Sequence, residues 1–110
     1  MYQARRLDDS TIALELPPLG HDAAVRLALV DVDSDRTLAD TARGEDLVIL
    51  DEDGARTLTG AGIDVSRPRR LTVRIADALH SSDHAAFAVP LWARDGRLLA
   101  IVPVVHTAPD

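Results

Sequence analysis

The sequence predicts a mainly β protein: a small antiparallel β-sandwich or barrel of six to seven short strands, with at most one or two short helical turns. Three observations lead there. Apolar and polar residues alternate, most cleanly where Leu71, Val73 and Ile75 share one side and Arg70, Thr72 and Arg74 the other. Two Asp-Gly pairs, Asp53-Gly54 and Asp95-Gly96, stand between β-prone runs, where glycine supplies the positive φ of a tight turn. Turn signals recur at intervals of roughly 8–12 residues, as in sandwiches and barrels. The 110 residues fit one domain spanning 1–110.

Each element follows from the same logic. Ile12, Leu14 and Leu16 alternate with Glu15, and Pro17-Pro18-Leu19-Gly20 ends that strand. Residues 24–32 set Val25, Leu27 and Leu29 against Arg26, Ala28 and Val30, apolar on both sides toward the end, as an inner strand requires. Residues 31–35 read as a turn. Residues 37–43 are expected to form two helical turns capped by Ser34 or Asp35. A hairpin follows, with arms at 46–51 and 55–59 around Asp51-Glu52-Asp53-Gly54, closed by Gly60-Ala61-Gly62. Residues 70–76 form the next strand, 75–86 a connection with one helical turn, and 86–94 and 97–105 a second Asp-Gly hairpin. Pro90 and Pro103 cannot donate to a ladder and are expected at edges or bulges.

Composition restricts function. There is no cysteine, so disulfides, thiolate metal sites and cysteine nucleophiles are excluded. The apolar residues are 15 Leu, 10 Val, 5 Ile and 17 Ala, with Tyr2, Phe87 and Trp92 the only aromatics, too few for a base-stacking platform. A net charge of −6 repels nucleic-acid backbone and anionic lipid. No apolar run approaches the ~20 residues of a membrane span, and the charged start Met1-Tyr2-Gln3-Ala4-Arg5-Arg6 is unlike a signal peptide. The expected location is the cytoplasm. Lys and Asn are absent, which points to a GC-rich genome. Asp outnumbers Glu 15 to 3, consistent with turns and strand ends, while a net charge of −6 is mild for salt adaptation.

Few motifs carry chemistry. His80-Ser81-Ser82-Asp83-His84 is the candidate metal site: on a helix His80 and His84 would share a face, with Asp83 adding an oxygen and His21 or His106 a further ligand. The glutamate of the H-E-x-x-H pattern is missing, and a polar loop between strands is the better-supported reading of the run. Asp31-Val32-Asp33-Ser34-Asp35 has calcium-loop spacing, but Arg36 and Ala42 stand where that loop needs glycine and glutamate. Arg67, Arg69, Arg70 and Arg74 form the basic cluster, suited to carboxylate or phosphate, an acidic partner, or another copy of the chain. Phe87 and Trp92, an odd number of positions apart, should face opposite sides, with Trp92 the candidate contact anchor. There is no nucleophile elbow and no phosphate-binding glycine loop.

The expectation is a non-enzymatic binding or assembly module without cofactor. Its specific form is a small phage virion component: a capsid-decoration, head–tail connector or tail protein that contacts proteins or its own copies. Two alternatives stand beside it. One is a metal-binding enzyme or regulator using His80, Asp83 and His84. The other is a small acidic regulator of antitoxin or immunity type.

Overall fold

The computed structural model describes residues 3–20, 23–43, 46–57, 62–76 and 86–106. They form nine strands: β1 (Gln3–Asp8), β2 (Thr11–Leu16), β3 (Ala24–Asp31), β4 (Arg36–Asp40), β5 (Leu47–Leu50), β6 (Arg56–Thr57), β7 (Arg69–Ile75), β8 (Phe87–Ala93) and β9 (Leu98–His106). The protein is mainly β, with no helix among the described residues. The strands make one curled sheet in the order β4-β3-β8-β9-β1-β2-β7-β5-β6. Every pair is antiparallel except β1–β9, which runs parallel over Ala4↔Val104, Arg5↔Val105 and Arg6↔His106. The result is a half-barrel of a mixed sheet, where the sequence predicts an all-antiparallel sandwich or barrel with fewer strands.

The two additional strands have different origins. β1 is mostly polar, and of its described side chains only Ala4 joins the core. It is held by two neighbours, β2 and β9, and shows little pattern of its own. The helical turns expected over 37–43 are not formed: Arg36–Asp40 is strand β4, followed by a turn. Pairing Leu29↔Ala39 and Ala28↔Asp40 gives this short segment a partner. An isolated helix of two turns would have none, and such a helix is marginal.

The concave face is the core. Ile12, Leu14, Leu71, Val73 and Ile49 from one half meet Leu27, Leu29, Val89, Leu91 and Val102 from the other. All are aliphatic, and close packing of such side chains over the curl is the main driving force for this sheet. The mouth of the curl is closed by the segment before β7. Ile63 exchanges both backbone bonds with Ala24 (2.8 and 2.9 Å), and Leu19 N–H donates to the Val65 carbonyl (2.7 Å). Ile63 and Val65 are buried. Gly62 precedes them at φ 83°, where an added Cβ would lie 2.8 Å from Val25 Cγ1 and 3.0 Å from the Ala24 carbonyl.

The turns share one device. Asp8, Asp31 and Asp51 open three of the four hairpin turns and Asp95 stands inside the fourth, and each accepts with Oδ1 the N–H two residues on: Ser10, Asp33, Asp53 and Arg97. Asp40 and Asp64 do the same toward Ala42 and Ser66. This is the Asx turn, which a side chain one carbon longer does not fit. Six of the 15 aspartates are thus used as turn formers. The expected hairpins around Asp53-Gly54 and Asp95-Gly96 form, with Gly54 at φ 81° and Gly96 at φ 88°.

The prolines depart from expectation. Pro90 lies in β8 and Pro103 in β9, both inner strands rather than edges. The β3–β8 ladder accommodates Pro90 by an interruption: Leu27↔Leu91 and Val30↔Ala88 pair, while nothing pairs across Ala28–Leu29 and Val89–Pro90. Pro103 faces Ala88, and pairing to β1 begins only at Val104.

Candidate functional site: an arginine-bearing sheet face

Of the four clustered arginines, three lie on β7 and divide between the two faces of the sheet. Arg69 begins β7 on the concave side and is 9% exposed. Its Nε donates to Glu52 Oε1 (2.8 Å), its Nη2 to Glu52 Oε2 (3.1 Å) and its Nη1 to the Asp64 carbonyl (3.0 Å). This fork fastens the β5–β6 turn to the segment entering β7. Glu52 Oε1 also accepts the Arg70 N–H (3.0 Å). The Arg69 bonds, then the Arg70 N–H, hold the Glu52 carboxyl at about 2, well below its ordinary 4.5. Arg69 is thereby a brace, occupied within the chain.

Arg70 and Arg74 point the other way, onto the convex face, where period-two alternation places them. Arg67 is exposed in the preceding link. Register adds an arginine that the clustering in sequence does not reveal. Arg5 pairs with Ala13, Ala13 with Thr72, Thr72 with Leu50, and Leu50 with Arg56. This row crosses five strands, and Arg70 and Arg74 flank it along β7. Strand spacing puts Arg5 and Arg56 ~19 Å apart, and strand rise puts Arg70 and Arg74 ~13 Å apart. The centre, Ala13 and Thr72, is low and half-buried.

Within the block Arg5, Ala13, Glu15, Arg70, Thr72 and Arg74, the one acid is Glu15, 3.8 Å from Arg70 with both side chains exposed. Such a pair is worth little in water. Arg5 and Arg74 make no ion pair among the described residues. On a chain of net charge −6, this is a local patch of opposite sign, built of planar forks suited to carboxylates.

Trp92 lies elsewhere on the convex surface, on β8, and is half-buried. The Arg26 guanidinium covers its ring at 4.2 Å from the centroid. Arg26 is itself fixed by Asp40, through Nη2 to Oδ2 at 2.6 Å and Nε to both oxygens at 3.2 Å. Burial alone would raise the Asp40 carboxyl, but the Arg26 bonds and the Ala42 N–H outweigh it and lower it. Phe87 is in the core, so the two aromatics do divide between the faces. Trp92 is capped by its own chain and is no open anchor. Beside it, Leu98 and Ile101 are exposed on β9.

The candidate metal residues His80, Asp83 and His84, and His21, lie outside the described residues; His106 closes β9. Among the described residues no three His, Asp or Glu side chains gather as a metal site would require. Asp31, in the run with calcium-loop spacing, accepts the Asp33 N–H (3.0 Å). No helix among the described residues is long and apolar enough to cross a membrane.

Arg5, Arg26 and Glu52 carry these arrangements, and clustering in sequence did not reveal them. Arg5 and Arg26 each alternate with core residues, Ala4 and Leu27, and that alternation was the available signal. Comparison with known proteins gives no match: no family model, no curated protein and no solved structure aligns with this chain.

Proposed function

We propose that this chain is a non-enzymatic binding and assembly module whose contact surface is the convex face carrying Arg5, Arg70 and Arg74. The observation that supports it is the convergence of these three exposed arginines, from strands distant in sequence, on a low centre of Ala13 and Thr72. An extended sheet face with charged forks at its margin can grip an acidic protein surface without moving. In its specific form the module is a small structural component of a phage virion, and its partners are virion proteins or its own copies. The absence of Lys and Asn, which points to a GC-rich genome, the absence of cysteine and the lack of helix among the described residues favour that form.

The test uses a fluorescent oligoglutamate peptide followed by anisotropy. A protein of net charge −6 repels such a peptide unless a local patch holds it, so binding reports the patch. Arg70→Glu with Arg74→Glu is expected to weaken binding at least ~10-fold, and salt at ~0.5 M to do the same by screening. Equal binding by wild type and the double variant would overturn the reading.

A further inference from the structure

We propose that the arginine-bearing face receives the β3–β4 turn of a second copy of this chain, in a head-to-tail contact; this rests on the reading of that face as a contact surface. The turn is set apart from the others by what its side chains leave unused. At the β1–β2 turn Asp9 pairs with Arg6. At the β5–β6 turn Glu52 is committed to Arg69 and Asp51 to the Asp53 and Ala55 N–H groups, which leaves one uncommitted carboxylate among the described residues there, Asp53, against two at the β3–β4 turn. At the β3–β4 turn only Asp31 is engaged, accepting the N–H groups of Asp33 (3.0 Å) and Ser34 (3.5 Å). Asp33 and Asp35 are exposed and make no side-chain hydrogen bond or ion pair among the described residues. Between Asp31 and Asp33 stands Val32, an apolar side chain 54% exposed at a turn tip. Asp35 holds φ 56°, a left-handed conformation that fixes the tip's shape.

Tip and face match in two respects. Two carboxylates stand beside one apolar side chain on the tip, and arginines surround a small half-buried centre on the face. A valine resting over Ala13 and Thr72 brings Asp33 and Asp35 within reach of the long side chains of Arg5, Arg70 and Arg74. The two surfaces lie in different halves of the sheet: β3–β4 is one terminal hairpin, and β7 lies beyond β9, β1 and β2. No ion pair joins them within the chain among the described residues. A contact between two different patches is heterologous, so any open row of copies keeps one free donor at one end and one free receiver at the other, and the product is a ring or a filament.

Sedimentation of the full chain tests this. Wild type is expected to form species larger than a dimer at ~20 mM salt and to dissociate at ~0.5 M. Arg70→Glu with Arg74→Glu removes the receiver, and Asp33→Asn with Asp35→Asn removes the donor without creating a charge that would suit the altered receiver. Each variant alone should sediment as a monomer with an unchanged circular dichroism spectrum. Mixed in equal amounts, the two should give a dimer and nothing larger, because one intact donor meets one intact receiver. Arg5→Glu, on another strand, should weaken assembly independently. The inference is overturned if wild type is monomeric at low salt up to ~1 mM, if the donor variant assembles as wild type does, or if the mixture stays monomeric. Should the oligoglutamate peptide still bind a wild type that does not assemble, only the choice of partner fails. Should neither occur, the contact-face reading fails with it.

Discussion

Arg26 lies over the Trp92 ring at 4.2 Å while its guanidinium forks onto Asp40, a residue 3% exposed. The stack places a charged group between an aromatic face and a buried carboxylate. Removing Arg26 with Arg26→Ala strands that carboxylate, and the expected loss is about 2–4 kcal/mol by chemical denaturation. Trp92 is the sole tryptophan, so its emission should shift to the red in the same variant. Arg26→Lys should recover only part of the stability, since an ammonium cannot fork onto both oxygens. Unchanged emission in Arg26→Ala would contradict the stack.

The Glu52–Arg69 brace predicts a pH dependence. The folded-state carboxyl, at about 2, lies below its ordinary 4.5. A group depressed in this way stabilises the fold fully above the ordinary value, and the contribution disappears as pH falls from about 4.5 toward about 2. Glu52→Gln should therefore cost about 1–2 kcal/mol at pH 7, a figure reduced for the side chain's partial exposure. The gap between variant and wild type should close on acidification. A gap that stays constant to the acid limit would show that the charge is not what matters.

Gly62 and Gly54 have nearly the same φ, 83° and 81°, but different surroundings. Gly54→Ala meets nothing within 4 Å and should cost only the left-handed backbone penalty, about 1–2 kcal/mol. Gly62→Ala also forces its Cβ against Val25 and the Ala24 carbonyl beside the Ile63–Ala24 bridge. It should cost at least ~2 kcal/mol more, because backbone cannot yield as a side-chain end can. Parallel melting curves of the two variants decide the matter.

The Asx turns separate charge from geometry. Asp95→Asn keeps an oxygen at the right reach and discards the charge, whereas Asp95→Glu keeps the charge and misplaces the oxygen. Asparagine should be tolerated, and glutamate should cost about 0.5–1.5 kcal/mol through the lost bond to Arg97 N–H. If glutamate proved the milder change, surface charge rather than turn geometry would account for the aspartate excess.

What the sequence made legible was local. β2, β3, β7 and both Asp-Gly hairpins show in alternation and turn chemistry, because each is decided within a few residues. β1 and β4 did not show: each has little core-facing side chain and is held by ladder neighbours. The prolines misled for a related reason, since whether a missing N–H matters depends on a partner strand that can skip a rung, as β3 does opposite Pro90. At the site, Arg70 and Arg74 were legible as a pair. That Arg69 faces inward to Glu52, and that Arg5 joins from β1, required the register.

The parallel join of β1 to β9 bears on how this protein comes to be folded. Its four hairpins can each form from neighbouring residues, but the ladder that unites the two halves links Ala4 with Val104. Closing so distant a pair costs chain entropy before any of its bonds are gained. Assembly of the two halves should therefore be the slow event, on the millisecond-to-second scale of sheet proteins rich in remote pairings. Until β9 arrives, each half exposes an unpaired flank to whatever strand is nearest.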